Sequence, residues 1–184
     1  IFCVIAFDKE GAAPVDLLAG AVALFQPTQP RLGIGPRHIA MTPERMAEIH
    51  AAAFRAQRPW SRQEFEALLA QPTTLLECSG NSGFALARSV AGEAELLTIA
   101  VHPESQGQGV GKTCLETLIK SAQSLGIERL FLEVEEENIA ALRLYEGAGL
   151  RQTGRRKGYY KLSDGTRSDA ILMAVTLPKS TTNP

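Results

Sequence analysis

The sequence predicts an α/β (α+β) fold in which a mixed central β-sheet of about seven strands is flanked by about four helices. Three observations predict it. An apolar, β-rich run at residues 95–101, ELLTIAV, leads straight into a glycine loop and then into a helical pattern. Strand-like stretches outnumber helical ones, and two of them come late and in succession, as a hairpin. At 184 residues and 45% hydrophobic, the chain is long enough for one well-cored domain and short for two.

Residues 1–36 read as an N-terminal extension and linker, with a short strand at 4–7, a short helix at 15–25 and the breakers of QPTQPRLGIGP. The main domain is expected over 37–178, opening with a strand at 37–41. Thr42 then caps a helix that has Pro43 at its first position. Ser61 and Glu64 form a capping box for a second helix reaching about Ala70, and Trp60 can staple against Phe65. TTLLECS and FALARSV flank the turn residues Gly80, Asn81, Ser82 and Gly83, which indicates a hairpin. AGEAELLTIAV supplies the central strand. After the glycine loop, Val110, Cys114, Leu118, Ala122 and Leu125 keep helical spacing. LFLEVEE is the next strand, IAALRLYEGAGL a helix stopped at Gly149, and GLRQTGRRKGYYKL and DAILMAVTL the closing strands. Residues 179–184 read as a disordered tail.

Net charge is −1, which leaves no electrostatic footprint for nucleic acid or an anionic membrane. Cys3, Cys78 and Cys114 are odd in number and widely spaced in apolar or helical stretches, so they read as reduced and packed. His38, His50 and His102 have no metal-ligand spacing, and no metal site is expected. LLAGAVALF is too short to span a bilayer and no basic leader precedes a cleavage site, so a cytoplasmic protein is expected, as a monomer or weak dimer.

The chemistry concentrates in QGQGVGK. Gly107, Gly109 and Gly111 allow backbone N–H groups to turn inward, the following helix adds its positive end, and Lys112 adds a charge: an anion site. The ATP loop G-x-x-x-x-G-K-[ST] matches at Gly111, Lys112 and Thr113, but its first glycine falls on Gln106. The dinucleotide pattern G-x-G-x-x-G fits Gly107 and Gly109 and fails at Lys112. The pattern [RQ]-x-x-G-x-[GA] is satisfied in full by Gln106, Gly109 and Gly111. An ATPase would also want an aspartate ending a second apolar strand, and the corresponding strand carries Glu133 instead.

Glu133 stands mid-strand on the face opposite Leu130, Leu132 and Val134. A carboxylate there is either a working base with a raised pKa, the partner of an arginine from a neighbouring strand, or on a face open to water. Asn138 is a natural helix N-cap. Tyr145 reads equally as a core aromatic with its hydroxyl at the rim or as an acid.

The ordered set LxxAVxPxxQGxGxG followed by LEVxxxNxxAxxLYxxxGL resembles the GNAT superfamily of N-acetyltransferases, and over residues 37–177 most of all its protein N-terminal, ribosomal-protein-alanine type. RRKGYY followed by DGTRSDAILM resembles the acceptor-side hairpin of that type. The resemblance implies the GNAT fold and transfer of an acetyl group from acetyl-CoA to a protein N-terminus. It further implies that Ile99, Ala100 and Val101 bind the pantetheine arm by backbone, that Gly107, Gln108, Gly109, Val110, Gly111 and Lys112 hold the pyrophosphate, and that Asn138 touches the cofactor. Glu133 would be the base and Tyr145 the acid, with Trp60, Tyr159 and Tyr160 lining the acceptor groove. Tyr159 and Tyr160, if in a regular strand, point to opposite faces. One departure is Gly107, where close relatives often carry a basic residue. The rival readings are acetylation of a small amine or a lysine, a non-catalytic acyl-CoA-binding module, and an ATP-using enzyme.

Overall fold

The computed structural model describes residues 41–54, 58–161 and 165–178. The elements expected at 4–7, 15–25 and 37–41 and the tail at 179–184 lie outside them, apart from Met41. Among the described residues the chain forms α1 (Pro43–Ala53), α2 (Arg62–Leu69), β1 (Thr74–Ser79), β2 (Gly83–Val90), β3 (Glu93–Val101), α3 (Val110–Ser124), β4 (Arg129–Glu135), α4 (Ile139–Gly147), β5 (Arg151–Lys161) and β6 (Arg167–Thr176). The six strands make one mixed sheet in the order β1-β2-β3-β4-β6-β5. Every expected strand within the described residues is present.

Two cores lie on opposite faces of this sheet. On one, α3 and α4 cover Leu96, Ile99, Leu130, Leu132 and Val134. On the other, α1 and α2 pack Met46, Ile49 and Phe65 over Phe84, Leu86, Leu97 and Ala100. Each large apolar side chain so buried contributes roughly 1.5–3 kcal/mol. Leu86 faces Thr98 while Ala87 faces Leu96, so Leu97 is an extra residue in β3, a bulge. It switches the strand's alternation between the two cores.

The local signals act as read. The Thr42 side chain accepts from Arg45 N, and Ser61 and Glu64 complete a reciprocal capping box. The Trp60 ring lies 5.4 Å from that of Phe65. His50 is sandwiched here, with Phe54 stacked at 4.0 Å and its Nδ1 accepting the Trp60 backbone N–H at 3.2 Å. Burial pushes this imidazole down to about 4, so it is neutral. Glu64 is held down at about 2, chiefly by its hydrogen bonds from Arg58.

The parallel pairing of β3 with β4 covers only Glu93–Arg129, Ala94–Leu130 and Glu95–Phe131. Both strands continue, β3 with β2 to Val101 and β4 with β6 to Glu135, but no longer with each other. The sheet is split there. At the start of β2, opposite Val101, Gly83 leaves no room for a side chain: an added Cβ would lie 2.6 Å from Val110 Cγ1 and 3.1 Å from the Ala100 carbonyl oxygen.

Two outcomes are expected. Gly83→Ala should destabilise the fold by about 1–3 kcal/mol, a fall of roughly 2–8 °C in thermal midpoint, because the first turn of α3 must shift. On acidification, His50 loses stability below about 6.5 as only the unfolded chain takes up its proton. Glu64 contributes above its ordinary value of 4.5 and is lost as pH falls toward about 2. Glu64→Gln should therefore be less stable than the parent by about 1–2 kcal/mol at neutral pH, with the difference closing toward pH 2 in thermal melts.

Candidate active site

The glycine loop leaves β3 through a short 3-10 turn at Pro103–Ser105. The Gln106 amide donates back to the Val101 carbonyl at 3.1 Å and the Gln108 amide to the Glu104 carbonyl at 2.8 Å. Gly107 and Gly109 adopt left-handed φ of 75° and 82°. At these two positions a side chain would strain the turn. Gly109 is the N-cap of α3 and supplies no side chain to its first amides, which stay open to an incoming anion.

Gln106, Gly107, Gly109, Val110 and Gly111 form one wall of a cleft of about 260 Å³ with Ile99, Val101 and Lys112. Ala140, Arg143 and Leu144 of α4 form the other. A Cβ added at Gly111 would lie 3.5 Å from Val101 Cγ2 and 3.7 Å from Leu144 Cδ2, touching both walls. Lys112 is exposed and loosely paired with Glu116 at 3.8 Å. Arg143 has no ion-pair partner among the described residues. The cleft is thus apolar along its floor and carries amides and two cations at its mouth, the donor set that a diphosphate on an apolar arm requires.

Ile99, Val101, Gly107, Gly109, Val110, Gly111 and Lys112 all line this cleft, as expected. Ala100, Gln108 and Asn138 do not. Ala100 is buried in the α1–α2 core, Gln108 holds the turn together, and Asn138 caps α4 by accepting from Ala141 N at 3.2 Å. Arg143 and Leu144 were not singled out from the sequence. Ala140, Arg143 and Leu144 nevertheless have the i, i+3, i+4 spacing of one helix face, opposite Ala141 and Tyr145, and that spacing was the signal.

Glu133 lies in the part of β4 that has parted from β3, on the α1–α2 side of the sheet. Its side chain is 14% exposed, and Oε1 is 3.0 Å from Arg156 Nη2 of β5. Burial pushes its carboxyl up, Arg156 pulls it down and Glu95 adds to the rise. The arginine partner and the raised pKa, alternatives at the level of sequence, are both present. Tyr145 is fully buried in the α3–α4 core, so its hydroxyl is not at an exposed rim. The structure does not set these two side chains against each other: Glu133 is on the α1–α2 face of the sheet and Tyr145 in the core on the other.

Trp60 is 3% exposed and packs as the staple, away from any open groove. Tyr159 and Tyr160 correct the expectation of opposite faces. Their rings meet edge to face at 5.2 Å and both pack on the α1–α2 core. The cause is a bulge: Arg156 pairs with Ala170 but Tyr160 with Ser168, and Gly158 takes a φ of 58° between them. Burial, with Glu133 next, pushes the Tyr159 hydroxyl up. Cys78 and Cys114 are pushed by burial up to about 11 and about 12, values of inert packed thiols. The described residues hold no cluster of potential metal ligands and no helix long and apolar enough to cross a membrane.

Comparison with known proteins agrees with this geometry. The sequence pattern of the acetyltransferase (GNAT) family matches residues 42–150. The chain is 38% identical over 122 residues to the [ribosomal protein bS18]-alanine N-acetyltransferase of Escherichia coli K12, covering 65% of this chain and 82% of that protein. It is 35% identical over 130 residues to the N-alpha-acetyltransferase RimI of Mycobacterium tuberculosis, over 65% of this chain and 79% of the other. The crystal structure of the ribosomal-protein-S18-alanine N-acetyltransferase from E. coli superposes with a TM-score of 0.68 at 34% identity, over 77% of this chain and 92% of that one.

Arg143→Ala should weaken acetyl-CoA binding about three- to tenfold in calorimetric titration at low salt, with the difference shrinking as salt is added. Arg143→Lys should retain most of the affinity.

Proposed function

We propose, on the premise that this chain belongs to the acetyltransferase (GNAT) family, that the group it acetylates is the α-amino group at the N-terminus of a protein, a ribosomal protein beginning with alanine in the first place. The enzyme is an acetyl-CoA-dependent N-acetyltransferase. The observation that carries the reading is the position of Glu133: a half-buried carboxylate beside the split in the sheet, overlooked by the bulged β5–β6 hairpin with Tyr159 and Tyr160. The names of its relatives in E. coli and M. tuberculosis point to the same class of acceptor.

Acetyl-CoA supplies the activated thioester. The amides at the start of α3, with Lys112 and Arg143, are suited to its diphosphate, and the apolar cleft floor at Ile99, Val101 and Leu144 to its pantetheine arm. The side of β3 released by β4 offers unpaired backbone groups to the arm's amides and to the thioester carbonyl. Glu133 accepts a proton from the acceptor's ammonium. An α-amino group has a pKa of about 7.7–8.0 against roughly 10.4 for lysine, so a carboxylate whose pKa is raised by burial is a sufficient base. Tyr145, whose helix also carries Ala140, Arg143 and Leu144 of the cleft, returns a proton to the departing sulfur. Packing of both tyrosines of β5 against the α1–α2 core supports a rigid wall for the acceptor's first residue.

Mass spectrometry of N-terminal peptides after incubation with acetyl-CoA tests the reading. Alanine-first ribosomal peptides should gain one acetyl group at the α-amine, while polyamines and lysine side chains remain unmodified; the reverse pattern would overturn it. Glu133→Gln and Tyr145→Phe should each lower kcat about 10²–10⁴-fold with the affinity for acetyl-CoA retained.

A further inference from the structure

Two consecutive arginines on β5 serve opposite faces of the sheet. Arg155, opposite Ile171, lies on the α3–α4 side, where its guanidinium pairs with Glu136, beyond the end of β4, and with Asp169 of β6. Asp169 Oδ1 also accepts from Gly158 N at 2.7 Å, and Asp169 N donates to Glu136 Oε1 at 3.1 Å. This cluster ties the bulge of β5 to β6 and to the β4–α4 connection. The backbone of Arg156 is therefore held in place.

Arg156 itself points to the other face. It pairs with Ala170, whose methyl leaves space above the strand, and its side chain crosses β6 to reach Glu133 two strands away. At 53% exposed it is far from locked. In the same conformation its Cζ lies 5.4 Å from the centre of the Tyr159 ring. The guanidinium thus stands on the carboxylate to which the acceptor's ammonium must come while already touching the ring that can keep it when it leaves.

We propose that Arg156 is a positioning residue that holds the place of the acceptor's ammonium on Glu133 and gives it up, moving onto the Tyr159 ring, when the acceptor arrives. This deepens the functional reading above and rests on it. In the acceptor-free enzyme the ion pair keeps Glu133 ionised against the desolvation that favours its protonated form. Once the guanidinium leaves, the acceptor's ammonium is the cation on Glu133 in its place. The N–H bond of the ammonium breaks, the proton passes to a Glu133 carboxylate oxygen, and the electron pair stays on nitrogen for attack on the thioester carbon. With the guanidinium gone and the ammonium neutralised by the transfer, no cation is left to draw the proton back off the buried carboxyl. The other charged and titratable groups around Glu133 are Glu95 of β3, itself paired with Arg88 of β2 at 3.1 Å, Glu135 of its own strand, and the Tyr159 hydroxyl of β5. Leu172, opposite Glu133 on β6, carries no charge.

The test is a carboxyl-¹³C NMR titration of the full chain without substrate, with the Glu133 signal identified by its loss in Glu133→Gln. In Arg156→Gln the Glu133 midpoint should lie about 0.5–1 pH unit above that of the parent, and Arg156→Lys should bring it most of the way back. The acceptor-peptide KM of Arg156→Gln should be unchanged or lower. An unmoved or lowered midpoint in a variant that retains its thermal midpoint and acetyl-CoA affinity overturns the proposal. So does a threefold or greater rise in peptide KM, which would make Arg156 a direct grip on the acceptor. Should Arg156→Gln fail to fold, Arg156→Lys with an unmoved peptide KM and a midpoint within 0.3 of the parent supports it, and a larger shift overturns it, those bounds being about a twofold change in proton affinity. Because the titration contains no acceptor, a failure to acetylate N-terminal peptides would remove the functional reading while leaving the midpoint comparison readable.

Discussion

A parallel pair of strands that stays hydrogen-bonded for three residues and then separates is the constraint on which this molecule turns. Backbone groups of β3 beyond Glu95 keep their ladder to β2 and have none toward β4. In a buried sheet such groups need partners, and a ligand arm carrying amides can supply them. The remaining elements serve the gap. Gly83 lets the start of α3 sit close against β2 and β3, α4 closes one side of the cleft, and the Leu97 bulge distributes β3 between two cores without ending the strand. Each depends on the split, since a continuous ladder would fill the space that the cleft occupies.

Charge in the site is arranged by strand geometry more than by proximity in sequence. Glu133 draws a partner from two strands away because the residues between, Ala170 and Leu172, are uncharged and Ala170 is small. Arg155, the sequence neighbour of Arg156, is committed to the opposite face by the period of two and cannot compete. The cleft follows a similar pattern: with glycine at 107, its cationic charge comes from Lys112 on one wall and Arg143 on the other. Tyr145 is set differently. Its ring is fully enclosed by the α3–α4 core, and its hydroxyl is buried with it.

Much of this was legible in the amino-acid order because the signals are local. Capping residues, the Gly80–Gly83 turn and the alternation of LFLEVEE each depend on a few neighbouring residues, and the elements appear where those residues put them. The glycine loop was legible too, since left-handed φ at 107 and 109 leaves few alternatives to glycine. What escaped was set by pairing. The tyrosines of β5 share a face because its bulge inserts residues opposite Asp169, and nothing in RRKGYY announces a register shift. Trp60 faces inward because His50, ten residues earlier, supplies both a stacking surface and an acceptor for its backbone N–H. Arg143 belongs to the cleft only once α4 is docked against α3.

The bulge in β5 has a bearing outside the site. Among the described residues this strand is the outer member of the sheet at its β6 end, and an outer strand offers free main-chain donors and acceptors to any other chain with an extended segment. Register breaks after Gln152 and after Arg156, together with exposed Arg151, Lys157 and Lys161, leave no long flat stretch on which a foreign strand could zip. The irregularity that brings Tyr159 and Tyr160 to one face therefore also guards this edge against strand addition.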